Sequence, residues 1–198
     1  MKHLFALFIF MIYFNSGFAQ ISTNSLPYAQ IPEKTGEYTG GNVLSRMIDG
    51  LGFRYYWATE GLTQTDLDFI PTPESRNTME TIEHLFGLSQ TLLNGAQNVP
   101  NIQPADFSGM NFKEFREKTL RNIQESSELL AGKNDSEISE LKIIFQRGDS
   151  RTEYPFWNMI NGPIVDMIHH SGQLVLLRRM SGNPINPKVN VFLGVTGK

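Results

Sequence analysis

The sequence contains no cysteine. That absence excludes disulfides, thiolate metal sites, cysteine nucleophiles and a lipid-bearing cysteine at a cleavage point. Any metal must be held by imidazole and carboxylate, with water completing its shell. Imidazole is itself scarce: the 198 residues include 4 histidines, His3, His84, His169 and His170. An excess of one charge is missing too. The formal net charge is -3 and the two signs are interspersed along the chain, so nothing marks a nucleic-acid footprint. The apolar run Leu4 to Phe14 (LFALFIFMIYF) falls short of the roughly 20 residues that a membrane-spanning helix needs.

What is present begins with an address. A short basic start, Met1-Lys2-His3, precedes that apolar run, and small residues at Gly17 and Ala19 stand just before Gln20. This is the layout of a secretory signal peptide, predicted to be cleaved after Ala19. The same residues also fit an uncleaved N-terminal anchor. The first reading places the mature protein in the periplasm or outside the cell, with no stable membrane anchor left after cleavage. Residues 20–41, rich in Ser, Thr, Pro and Gly, read as an extended lead-in. Residues 42–198 have the length of one domain with its own core.

Within that domain the apolar residues recur at helical spacing in four places. From 42 to 61, Val43, Leu44, Met47, Ile48, Leu51, Tyr55 and Ala58 form one stripe; Gly50 and Gly52 weaken it unless close helix–helix contact explains them. From 78 to 94 the stripe is Met79, Ile82, Leu85, Phe86, Leu88 and Leu92 or Leu93, capped by Asn77 or Thr78. From 112 to 130 it is Phe112, Phe115, Leu120, Ile123 and Leu129 or Leu130. The last begins at Pro163, which suits a first helical turn, and ends at Gly182 and Pro184. Leu141 to Gln146 is strand-like but isolated, with only a hairpin partner or the tail to pair with. These segments predict an all-α, up-down four-helix bundle with long loops and at most a short β segment. Trp57, Tyr55, Tyr56 and Trp157 fit a pocket mouth, although aromatics at helical spacing more often belong to a core.

The last helix carries the candidate chemistry. Asp166 and His170 are four apart, so one face of a helix bears both, and Gln173 continues the same line. A carboxylate and an imidazole on adjacent turns can bind one ion, with a further ligand from another helix. His84, in the middle of the second helical segment, is the available partner. Two imidazoles and one carboxylate leave coordination positions open, as in catalytic zinc and non-haem iron sites. By spacing alone the pair fits a surface hydrogen bond equally, and His84 fits a satisfied core histidine.

The run from Asp166 through His169, His170, Ser171, Gly172 and Gln173 to Arg178, Arg179, Gly182, Asn183 and Pro184 resembles the final helix of the DinB/YfiT-like superfamily. Glu80-Thr-Ile-Glu-His84-Leu85 likewise resembles the context of that family's ligand histidine on its second helix. The resemblance implies a metal-dependent four-helix bundle of DinB/YfiT type that often dimerises. It assigns His84, Asp166 and His170 as ligands, with His169 as the fallback for His170. Gln173 would orient a ligand or water, Gly172 would allow close helix approach, and Glu80 would either support the site or be solvated. The implied ion is divalent, zinc or nickel first, with iron or manganese as alternatives. The family pattern has His where this chain has Asp166, which keeps a ligand but makes the site harder and more anionic. A small-molecule substrate is expected, in metal-assisted hydrolysis or thiol-dependent transfer. The alternative is a non-catalytic secreted bundle that binds a ligand or partner beside a degenerate site.

Overall fold

Asparagine and threonine start most of the helices. In the computed structural model, which describes residues 25–33 and 36–197, helix α1 (Gly40–Thr59) begins where the Thr39 hydroxyl accepts a hydrogen bond from the Asn42 amide. The short α2 (Gln64–Leu67) follows. Helix α3 (Thr78–Ala96) and helix α4 (Phe112–Leu130) each open with a capping box, Asn77 with Glu80 and Asn111 with Glu114, so two orphan amides are satisfied reciprocally at each start. Between them, β1 (Pro100–Ile102) interrupts the connection. After α4 come α5 (Asp135–Ser139), β2 (Lys142–Arg147), β3 (Ser150–Pro155) and α6 (Trp157–Met159). Pro163 lies in a π-helical turn (Ile160–Ile164), in which Gly162 departs from helical geometry at ψ -110°, and this turn feeds helix α7 (Val165–Met180). Strands β4 (Val189–Asn190) and β5 (Val195–Thr196) close the described chain.

Contacts between helix ends fix their directions. Arg116, early in α4, bonds Thr59 and Glu60 at the end of α1, while Gly132, just past α4, donates to Asn42 near the start of α1. These two helices are antiparallel. Asn122 bonds Ser89 and Gln97 bonds Glu125, so α3 and α4 run parallel. Gly95 approaches Met159 while His84 meets Asp166, so α3 and α7 are antiparallel. The order is therefore up, down, down, up, with residues 97–111 crossing the length of the bundle.

The all-α expectation is overturned. The protein is mixed: its helices pack beside a three-stranded sheet ordered β1-β2-β3 and a two-stranded ribbon of β4 and β5. Strand β2, seen in the sequence as isolated, has partners on both sides. It pairs parallel with β1 (Asn101 opposite Phe145) and antiparallel with β3 (Ile144 opposite Glu153). The turn between β2 and β3 is set by Gly148, whose φ of +55° suits glycine. Ile143 and Ile144 are buried, and the Asn101 side chain, also buried, donates to the Ile144 carbonyl.

The core is continuous across helices and sheet. Ile48, Leu51, Tyr55, Ile82, Leu85, Leu92, Leu120, Ile123, Met167 and Leu174 belong to it, as do Ile143 and Phe156. Tyr55 takes the core position expected of it, whereas Trp157 is exposed. The lead-in joins the core as well. Tyr28 is buried against Gly52, where any Cβ would overlap its ring, and its hydroxyl donates to Asp49. The close contact at Gly52 is thus with the lead-in, not with a helix.

The C-terminal end of α7 is locked by a buried polar network. Arg178, 3% exposed, donates to the carbonyls of Trp57 and Ala58 at the end of α1 and to the carbonyl and side chain of Asn183. Asp66, 2% exposed, accepts from Ser181, Asn183 and both the amide and hydroxyl of Thr63. The end of the helix, from Arg178 to Asn183, therefore joins α7 to α1 and α2. The signal peptide assigned to residues 1–19 lies outside the described residues. Among the described residues, no helix is long and apolar enough to cross a membrane.

Candidate metal centre

Helix geometry brings the three predicted ligands together. Asp166 and His170, one turn apart on α7, face α3, and His84 on α3 points back between them. His84 Nε2 lies 3.2 Å from Asp166 Oδ2, and His170 Nε2 lies 3.4 Å from Asp166 Oδ1. The two imidazoles meet edge to face, with centroids 4.7 Å apart. One ligand atom from each residue falls within 4.8 Å of the other two. The cluster is partly open: the side chains of His84, Asp166 and His170 are 31%, 42% and 14% exposed.

Hydrogen bonds decide which atoms point inward. Gln173 Oε1, an acceptor only, lies 2.5 Å from His170 Nδ1, so Nδ1 carries the proton. Nε2 is then the nitrogen facing Asp166. The Gln173 amide donates in turn to His169 Nε2 at 3.1 Å. His169 thus stands outside the cluster, linked to it through Gln173. Burial lowers the pKa of His84 below its ordinary value; the hydrogen bond to Asp166 works the other way, and the neighbouring His170 and Arg76 reinforce the lowering. The neutral form is favoured, and neutral imidazole is the ligating form.

This donor set suits a borderline divalent cation. Two imidazole nitrogens and a carboxylate converge, one imidazole is already oriented by its other nitrogen, and the exposed side leaves positions for water or substrate. Without a cation, His84 Nε2–H donates to Asp166 Oδ2, a bond that a metal on Nε2 would replace, with the ring proton carried on Nδ1 instead.

Other expectations resolve differently. The Glu80 carboxylate accepts from the Asn77 amide and completes the α3 cap. Gly172 permits no close helix approach: a Cβ there would meet nothing within 4 Å. Periodicity missed a cavity of about 660 Å³ between α3 and the crossing segment, which His84 lines but Asp166 and His170 do not. Its one visible trace in the sequence is the pair Gln90 and Asn94, polar and four apart on a helix whose other side is apolar. In comparisons with known proteins, no family model, no curated protein and no solved structure matches this chain. The DinB/YfiT-like resemblance rests on its motifs alone.

Proposed function

We propose that this protein is an exported, DinB-like metalloprotein in which His84, Asp166 and His170 bind a divalent ion, zinc or nickel before iron or manganese, for chemistry on a small molecule. The observation that carries this reading is the convergence of three donors, from α3 and α7, within 4.8 Å. A bound divalent cation supplies Lewis acidity, lowering the pKa of a coordinated water or thiol toward neutrality. The protein's own part is positional. His84 and His170 contribute neutral nitrogens, Asp166 supplies the anionic charge, and Gln173 keeps the His170 proton on Nδ1. The reaction class that follows is metal-assisted hydrolysis or group transfer. Export favours hydrolysis, because it separates the protein from cytosolic thiols.

The test is metal analysis of protein purified without chelator, followed by thermal unfolding with added zinc. Stoichiometric metal in the wild type, and a zinc-dependent rise in Tm that His84→Ala abolishes, support the proposal. If no metal copurifies and His84→Ala changes neither zinc uptake nor the zinc-dependent Tm, it is wrong. Edman sequencing of the exported protein tests the location; a start at Met1 overturns cleavage after Ala19.

A further inference from the structure

The cavity that His84 helps to line has a composition of its own. One wall is α3, which presents Gln90, Thr91 and Asn94; the other is the crossing segment, which presents Gln103 and the ring of Phe107. The Phe107 ring packs T-shaped against Phe86, at a centroid distance of 4.9 Å, so it puts a fixed apolar surface in the lining. Asn101 braces the opposite end: it accepts from Asn94 and donates to the Ile144 carbonyl. Charge is sparse and mixed. Lys118 is the one cation in the lining, set against Glu83 and Asp106, and the Asp106 carboxylate is already engaged by the Ser108 amide.

We infer that this cleft binds an uncharged, hydroxyl-rich small molecule with one flat apolar face, the chemistry of a saccharide ring, and places it against His84. Side-chain amides supply both donors and acceptors without charge, which matches hydroxyl groups. An aromatic face suits the C–H side of a sugar ring, and the volume falls in the range of small-molecule sites. A strongly anionic or cationic ligand would meet nearly balanced charges and gain little. This inference deepens the metal-centre reading and rests on it, because the cleft is taken to hold the substrate of that centre.

The test uses the full mature chain and N-acetylglucosamine as the probe, followed by amide-resolved NMR, with zinc binding measured separately by calorimetry. The probe is expected to shift the side-chain amide signals of Gln90, Asn94 and Gln103. Thr91→Trp, which fills the cleft without touching a ligand, is expected to abolish those shifts and leave zinc affinity unchanged. Gln90→Leu, which keeps the volume, is expected to weaken the probe about fivefold, as loss of one hydrogen bond would. The inference is overturned if zinc binds but the probe moves no cleft signal, if Gln90→Leu binds it as well as wild type, or if acetate or ethylammonium produces the larger shifts. If the probe binds and zinc does not, the cleft stands as a saccharide site and the metal-centre reading falls.

Discussion

The two ends of α7 hold two polar clusters that differ in completeness. At the C-terminal end, Arg178 and Asp66 are almost fully buried, and each is surrounded by partners that use its hydrogen-bonding capacity. Nearer the N-terminal end, His84, Asp166 and His170 are half-open, their contacts are long, and two imidazoles converge on one carboxylate. A satisfied buried network holds a fold together, because breaking it strands charges in a poor solvent. A convergent cluster that leaves its donor atoms accessible can accept something from outside. The lock fixes the pitch and rotation of α7, and that fixes where Asp166 and His170 point.

The largest effect is expected at the lock. Arg178→Ala strips partners from the Trp57, Ala58 and Asn183 carbonyls and leaves Asp66 without a nearby cation. Urea unfolding should show a loss of about 3–5 kcal/mol, in the range for breaking a buried charge network. If Arg178→Ala costs no more than an exposed surface change, within about 0.5 kcal/mol, the contrast between the two ends is false.

The same lock should respond to acid. Burial works to raise the Asp66 carboxyl, but hydrogen bonds from Ser181, Asn183 and Thr63 overcome it and hold the group well below the usual carboxylate range. A carboxyl depressed in the folded state stabilises above its unfolded value, about 3.9, and that contribution drains away as pH falls below it. The stability gap between wild type and Asp66→Asn should therefore be constant near neutrality and narrow below about pH 4. A gap that stays constant down to pH 2 would show that the carboxylate's charge is not what the network uses.

Much of this contrast was hidden in the sequence. The apolar stripes of α1, α3, α4 and α7 were legible because a helix repeats its buried face every three or four residues. The spacing of Asp166 and His170 was legible for the same reason. The sheet was not: β1 is three residues long beside prolines, and β3 is exposed throughout, so neither shows the alternation that marks a half-buried strand. Helix direction was also invisible, because periodicity does not say that residues 97–111 cross the bundle. Nothing in the local pattern marks Arg178 or Asp66 as buried. The partners that tie them across the fold, Trp57 and Ala58 for Arg178 and Ser181 and Asn183 for Asp66, lie more than 100 residues away in sequence, beyond the reach of any local pattern.

A smaller effect is expected at the open cluster. With zinc at about a hundredfold over its Kd, mass action should stabilise the wild type by about 2.7 kcal/mol. His84→Ala should remove that gain while changing the zinc-free stability far less than Arg178→Ala does. The zinc-dependent part should also be pH-sensitive. Because burial lowers the His84 pKa below its ordinary value, that imidazole stays neutral at pH 7, and its protonation should compete with zinc only below the ordinary histidine range, about 6.5. Weakening that begins well above that range would mean that protonation of His84 does not set the pH dependence.

The smallest effect separates a positioning role from packing at Gln173. The side chain is exposed and touches the two histidines, not the carboxylate. Gln173→Leu removes the acceptor that keeps the His170 proton on Nδ1, so the ring can turn or exchange tautomers. Zinc affinity should fall about tenfold, the lower end of what losing such an outer partner costs. Gln173→Glu should retain it, because a carboxylate still accepts from Nδ1–H. His169→Ala removes the far end of the chain of contacts and should change zinc affinity by less than about twofold, since it leaves the His170 bond intact. Equal losses from Gln173→Leu and Gln173→Glu would point to packing, and the tautomer of His170 would then be set by Asp166 rather than by Gln173.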